Sequence, residues 1–148
     1  MFVSSFKGKR VAENRMEVVI MVGYPGSGKT TYAKEQLSDH FRLDGDSLKT
    51  SDRVCRELRK QLQAGKSCVV DATNVTLERR AAAIAVAKEF NAPVRCILLE
   101  KSMEESMEMA NRRFEAGGPK IPKIAFYKLR KSFVLPSVEE GFSEINKI

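Results

Sequence analysis

Apolar and polar residues come in blocks along this chain. VVIMV at 18–22 is an unbroken apolar run, the pattern of a strand buried on both faces. The stretch from Lys29 to about Ser38 reads as a helix, and HFRLD at 40–44 as a shorter, weaker strand. Between Ser47 and Ala64, Val54, Leu58 and Leu62 recur at i, i+4 and i+8, while Arg53, Arg56, Arg59 and Lys60 fall on the opposite side. That spacing predicts one amphipathic helix, stopped by Gly65. SCVVD at 67–71 predicts a third strand. Thr76 can cap the next helix, LERRAAAIAVAKEF, whose alanines favour that conformation. PVRCILLE at 93–100 reads as a fourth strand. Ser102 and Glu105 form a capping box for a helix that runs to about Arg113. A glycine- and proline-rich loop, EAGGPKIP at 115–122, precedes a helical stretch from Pro122 to Phe133, and FSEINKI at 142–148 predicts a last strand.

Alternating strands and helices imply an α/β fold with a parallel sheet of four to five strands and helices on both faces. The chain has 148 residues, 43% of them hydrophobic, enough for one domain over one core. Residues 1–16 lack a pattern and read as an N-terminal arm, leaving 17–148 as the domain. No apolar run approaches the roughly 18 residues of a membrane helix. The N-terminus has no signal-peptide core, so an intracellular protein is expected, in nucleus or cytoplasm, neither secreted nor at a membrane. The three cysteines, Cys55, Cys68 and Cys96, lack metal-site spacing and read as core thiols. The single histidine, His40, reads as a loop or helix-end residue.

Net charge is +7, and its distribution matters more than its sum. Residues 49–66 hold six basic and two acidic side chains, and residues 112–131 hold seven basic and one acidic. Two basic windows point to a polyanionic partner, with solvated helix faces as the alternative.

Gly23, Gly28, Lys29 and Thr30 fit G-x-x-x-x-G-K-[ST], in the context that motif needs: a strand before it and a helix after. Glycines let backbone N–H groups turn inward and cradle oxyanions, and the helix N-terminus adds its dipole. Nucleoside triphosphate binding is therefore expected on Gly23, Pro25, Gly26, Ser27, Gly28, Lys29, Thr30 and Thr31. Lys29 is expected on the β- and γ-phosphates and the Thr30 hydroxyl on Mg²⁺. The Asp-x-x-Gly and Asn-Lys-x-Asp pairs of GTPase-like switches do not occur. Motor and AAA-type ATPases are expected to need far more chain, which leaves a small kinase.

The carboxyl ends of the strands are where ligands gather in such a sheet. The second strand ends in LDGDSLK, so Asp44 and Asp46 are expected near the γ-phosphate. Asp46 is the candidate general base for an acceptor hydroxyl; the alternative is that Asp46 or Ser47 only caps the following helix. The third strand ends in VVDATN, which makes Asp71 a candidate carboxylate for Mg²⁺ and groups it with Thr73 and Asn74, with turn formation as the alternative. NRRFEAGGPK at 111–120 places Arg112 and Arg113 before a flexible loop, where arginine can offset charge on a transferring phosphoryl group.

Taken in order, VGYPGSGKTTY, DGDSLK, VVDATNVTLERR, NRRF, IP and LPSVEEGFSEI resemble the kinase domain of the polynucleotide kinase 3′-phosphatase family over residues 17–148. The resemblance implies ATP- and Mg²⁺-dependent phosphorylation of 5′-hydroxyl ends of DNA or RNA. It implies Asp46 as base, Lys29 and Thr30 as phosphate and metal residues, and Lys49 as a grip on an acceptor phosphate. It further implies Asp71, Thr73, Asn74 and Arg80 on the acceptor side, and Arg112 or Arg113 in the lid. Two departures stand out. The family's Asn-Arg before the base is Asp44-Gly45 here. No Asp-x-Asp-x-Thr motif is present, so this chain is not expected to remove 3′-phosphates, and a phosphatase or ligase is a possible partner in trans. A kinase of a small-molecule hydroxyl and a non-catalytic nucleotide-binding module are the rival readings.

Overall fold

A computed structural model describes residues 16–148, so the N-terminal arm lies outside the described residues except for Met16. The elements follow the expected alternation: β1 (Val18–Val22), α1 (Lys29–Gln36), β2 (Phe41–Asp44), α2 (Gly45–Leu48), α3 (Ser51–Gln63), β3 (Cys68–Asp71), α4 (Leu77–Glu89), β4 (Val94–Leu98), α5 (Met103–Glu115), α6 (Lys123–Ser132) and β5 (Glu144–Lys147). The helix expected over residues 47–64 is two helices. Lys49 takes φ 71° with ψ −44°, a positive-φ conformation that no helix interior holds. Thr50 then caps α3 by accepting a hydrogen bond from the Arg53 N–H.

The five strands form one parallel sheet in the order β2-β3-β1-β4-β5. β1 lies at its centre, with all five residues buried. One face of the sheet, with Val18, Ile20, Val70 and Cys96, packs on α3 through Val54, Leu58 and Leu62, and on α4 through Ala83, Ile84 and Ala87. The other face, with Val19, Met21, Val69 and Ile97, packs on Ala33 and Leu37 of α1 and its C-terminal end. A smaller cluster joins Met103 and Ala110 of α5 to Phe126 of α6. Cys68 and Cys96 are buried, and burial pushes their thiols up to about 11 and about 12, so they stay protonated core residues.

Two polar ties hold the frame. At the N-terminal end of the strands, Glu17 accepts both Arg95 Nε (2.9 Å) and Arg95 Nη2 (3.0 Å) and bonds His40 Nε2 (2.7 Å). At the opposite end, Arg80 donates to both oxygens of Glu140 (2.8 and 3.0 Å) and to the Asn74 carbonyl (2.9 Å). Glu140 also accepts the Ser137 N–H, so the pair pins residues 137–141 against α4 before the chain enters β5.

Candidate active site

β1 delivers its C-terminal end into the glycine loop. Gly26 and Gly28 have φ of 84° and 98°, conformations that favour glycine. Gly26 has a second reason to lack a side chain: a Cβ there would lie 2.5 Å from the Ser106 carbonyl and 3.1 Å from the Ala110 Cβ, both on α5. The loop is thus wedged between α1 and α5. Lys29 folds back over it, donating to the carbonyls of Gly23 (3.2 Å) and Tyr24 (2.7 Å). Burial pushes its ammonium down to about 8, against the charges of Asp71 and Asp46, which hold it up.

Thr30 Oγ1 donates to Asp71 Oδ2 at 2.7 Å, and that carboxylate is 3% exposed. This juxtaposition suits a hard divalent cation, because a threonine hydroxyl and a carboxylate are oxygen donors that meet where the helix α1 begins. The same Oδ2 accepts Arg42 Nε at 2.8 Å.

The side expected to take an acceptor is built by α2. Asp44 is its cap: one carboxylate oxygen accepts the Asp46 N–H (3.1 Å) and the other the Ser47 hydroxyl (3.0 Å). Capping therefore falls to Asp44 rather than to Asp46 or Ser47. Asp46 lines an open crevice of about 510 Å³ together with Lys29, Thr30, Asp71, Thr73 and Arg113. The remaining loop residues divide. Pro25, Gly26, Gly28 and Thr31 also line the crevice, whereas Gly23 and Ser27 are buried and do not line it. A larger hollow, about 660 Å³, lies between α5 and α6. Its lining lacks the glycine loop and all three aspartates, so the chemistry points to the smaller crevice.

Several expected site residues lie elsewhere. Asn74 is buried, and its amide donates to the carbonyls of Met21 (2.8 Å), Val70 (3.4 Å) and Ala72 (3.3 Å). That amide staples the end of β3 to β1, and Asn74 does not line the crevice. Arg80 is fully buried in its pairing with Glu140, so it holds the tail rather than a substrate. Arg112 pairs with Glu108 at 3.2 Å on the exposed face of α5; of the two arginines expected in a lid, Arg113 is the one in the crevice. Lys49 is exposed and does not line it. Gly45 explains one departure from the expected pattern. A Cβ at 45 would sit 2.5 Å from the Ala72 Cβ and 3.1 Å from the Asp71 carbonyl, so no arginine fits there.

Arg42 was not among the expected site residues. Its one sequence signal is position: along a strand it lies two residues before Asp44 and so shares that residue's face.

A family model described as AAA domain matches residues 18–136. The chain belongs to that family. The chain is also 37% identical over 135 residues to a bifunctional polynucleotide phosphatase/kinase of Schizosaccharomyces pombe, in an alignment that covers 89% of this chain and 33% of that protein. The resemblance drawn from the motifs is thus borne out, although the chain spans about a third of the length of the curated relatives it matches. Among solved structures, one of a Pnkp1/Rnl/Hen1 RNA repair complex superposes with a TM-score of 0.69 at 22% identity, over 87% of this chain and 46% of that one. Chaetomium thermophilum Kti12, solved with ADP-AlF3, gives 0.67 at 15% identity over 88% of each chain. Both likenesses show that this chain has the P-loop NTPase-type fold. Among the described residues, no helix is long and apolar enough to cross a membrane.

Proposed function

We propose that this chain transfers a phosphoryl group from ATP to the 5′-hydroxyl end of DNA or RNA. The observation that carries the reading is the convergence of Asp46, Lys29, Thr30, Asp71 and Arg113 on one crevice at the carboxyl ends of the strands. The donor assignment draws on the glycine loop and on Kti12, solved with ADP-AlF3. The acceptor assignment draws on the Schizosaccharomyces pombe relative's name.

The residues divide the work by position. Asp46, free of the cap, takes the proton of the attacking hydroxyl. Lys29 exchanges its two carbonyl partners for donor phosphates, and Arg113 on the facing helix offsets charge as it develops. Thr30 and Asp71 would hold Mg²⁺, which when bound neutralises phosphate charge. The exposed basic residues of α3 and α6 follow the nucleic-acid backbone. A phosphatase or ligase acting on the same ends belongs to partner domains or chains. The site of action is intracellular, in nucleus or cytoplasm.

Incubation with labelled ATP, Mg²⁺ and a panel of 5′-hydroxyl DNA and RNA oligonucleotides tests this directly. Label at the 5′ end supports it. Nucleotide binding without label transfer to any polymer returns the case to the small-molecule kinase or the non-catalytic module.

A further inference from the structure

Asp71 is a nearly buried carboxylate facing a site built for polyanions, and its charge must be balanced before any ligand arrives. Arg42 balances it. Its Nε donates to Asp71 Oδ2 at 2.8 Å, onto the same oxygen that Thr30 Oγ1 bonds at 2.7 Å. Its Nη2 lies 3.7 Å from Asp44 Oδ2. Asp44 is in turn the cap that accepts the Asp46 N–H and the Ser47 hydroxyl. One guanidinium therefore spans the two halves of the site. On one side is the carboxylate that, with Thr30, suits a divalent cation; on the other is the turn that carries Asp46.

The strands explain the reach. β2 and β3 pair in parallel with Arg42 opposite Val69 and Asp44 opposite Asp71. Arg42 and Asp44 share one face of β2, and Leu43 between them is buried among α3 residues on the other. The planar fork of arginine can serve two carboxylates at once, which the point charge of lysine cannot.

We infer that Arg42 is a positioning residue: it holds Asp71 and the Asp46-bearing turn in register, and its charge sets how tightly the crevice takes a divalent cation. The inference rests on the nucleotide-and-metal reading above. Two consequences follow, with opposite signs. A guanidinium on the carboxylate opposes a second positive charge there, so neutralising it tightens cation binding. Losing the fork also loosens the turn under Asp46, so phosphoryl transfer slows.

The test measures ADP affinity by calorimetry with and without Mg²⁺, for wild type, Arg42→Gln and Arg42→Lys, beside steady-state transfer. Nearby unit charges in a solvent-accessible site interact by an amount equivalent to about tenfold in affinity. Arg42→Gln is expected to raise by about tenfold the factor by which Mg²⁺ tightens ADP. Arg42→Lys is expected to keep the wild-type factor yet lower kcat by about tenfold or more, with donor KM kept. A Mg²⁺ factor within twofold of wild type in Arg42→Gln overturns the inference and leaves a purely structural ion pair. If Arg42→Gln does not fold, Arg42→Lys decides: a wild-type kcat overturns the inference, and a lowered kcat at an unchanged Mg²⁺ factor supports it. ADP binding that ignores Mg²⁺ in the wild type fails earlier, by removing the metal reading itself and this inference with it.

Discussion

Asp46 differs from its neighbours in what it does not do. Asp44 is spent on the cap of α2 and Asp71 on Thr30 and Arg42, while the Asp46 carboxylate accepts no hydrogen bond among the described residues. Replacing it with asparagine keeps the size but removes the capacity to take a proton at neutral pH. Asp46→Asn is expected to lower 5′-phosphorylation by at least about a hundredfold, the low end of what general-base catalysis supplies, with ATP affinity and melting temperature near wild type. Turnover within a few-fold of wild type would move the base to another carboxylate, and rescue by added Mg²⁺ would make Asp46 a metal ligand. Lys29 gives a pH signature. Its ammonium titrates near 8 in the free protein, and only the charged form attracts phosphate. ADP affinity should therefore fall as pH rises through about 8, and Lys29→Ala should flatten that dependence while lowering transfer by about 10²–10³-fold. An ADP affinity constant from pH 7 to pH 9 in the wild type would contradict the role.

Elements were legible where one force dominated. The apolar run of β1, the capping box at Ser102 and the apolar spacing of α3 each declare themselves locally, and each is present. The break between α2 and α3 was missed because helical periodicity outweighed Thr50, whose capping role competes with a propensity argument over the same residues. In the site, the glycine loop was legible because its conformation demands specific residues. The direction of side chains after β3 was not. Asn74 and Arg80 stand in a motif beside Asp71 and Thr73, but whether a polar side chain faces a crevice or ties down backbone depends on partners distant in sequence. Glu140, sixty residues beyond Arg80, is such a partner. That pair yields a prediction at this scale. Arg80→Met leaves Glu140 without its partner and frees residues 137–141, so stability should fall by about 3–5 kcal/mol. Chemical denaturation measures it; a loss under about 1 kcal/mol would show that the tail holds without the pair. The double variant Arg80→Met, Glu140→Gln should recover part of the loss.

At the scale of the molecule, charge and chain order matter most. Arg53, Arg56 and Lys60 on α3, and Lys123, Lys128, Arg130 and Lys131 on α6, are exposed, whereas Arg59 is occupied by a two-pronged pairing with Glu89. If the first set contacts backbone phosphates, oligonucleotide affinity must fall steeply with salt, with a log–log slope of about −0.7 per phosphate for single strands. Arg53→Glu with Arg56→Glu should make the slope shallower, while Arg59→Glu should change it least. A flat salt response alongside intact 5′-phosphorylation would remove the two windows as a backbone track. The position of β1 has another outcome. It is the first strand among the described residues and the middle strand of the sheet, so Val18 must wait for Cys68 on one side and Val94 on the other. During synthesis the ribosome releases five bare apolar residues long before either neighbour exists. Such late pairing slows folding and exposes a sticky edge in the meantime. The segment that aims the phosphate loop is thus also the one a newborn chain must keep away from other newborn chains.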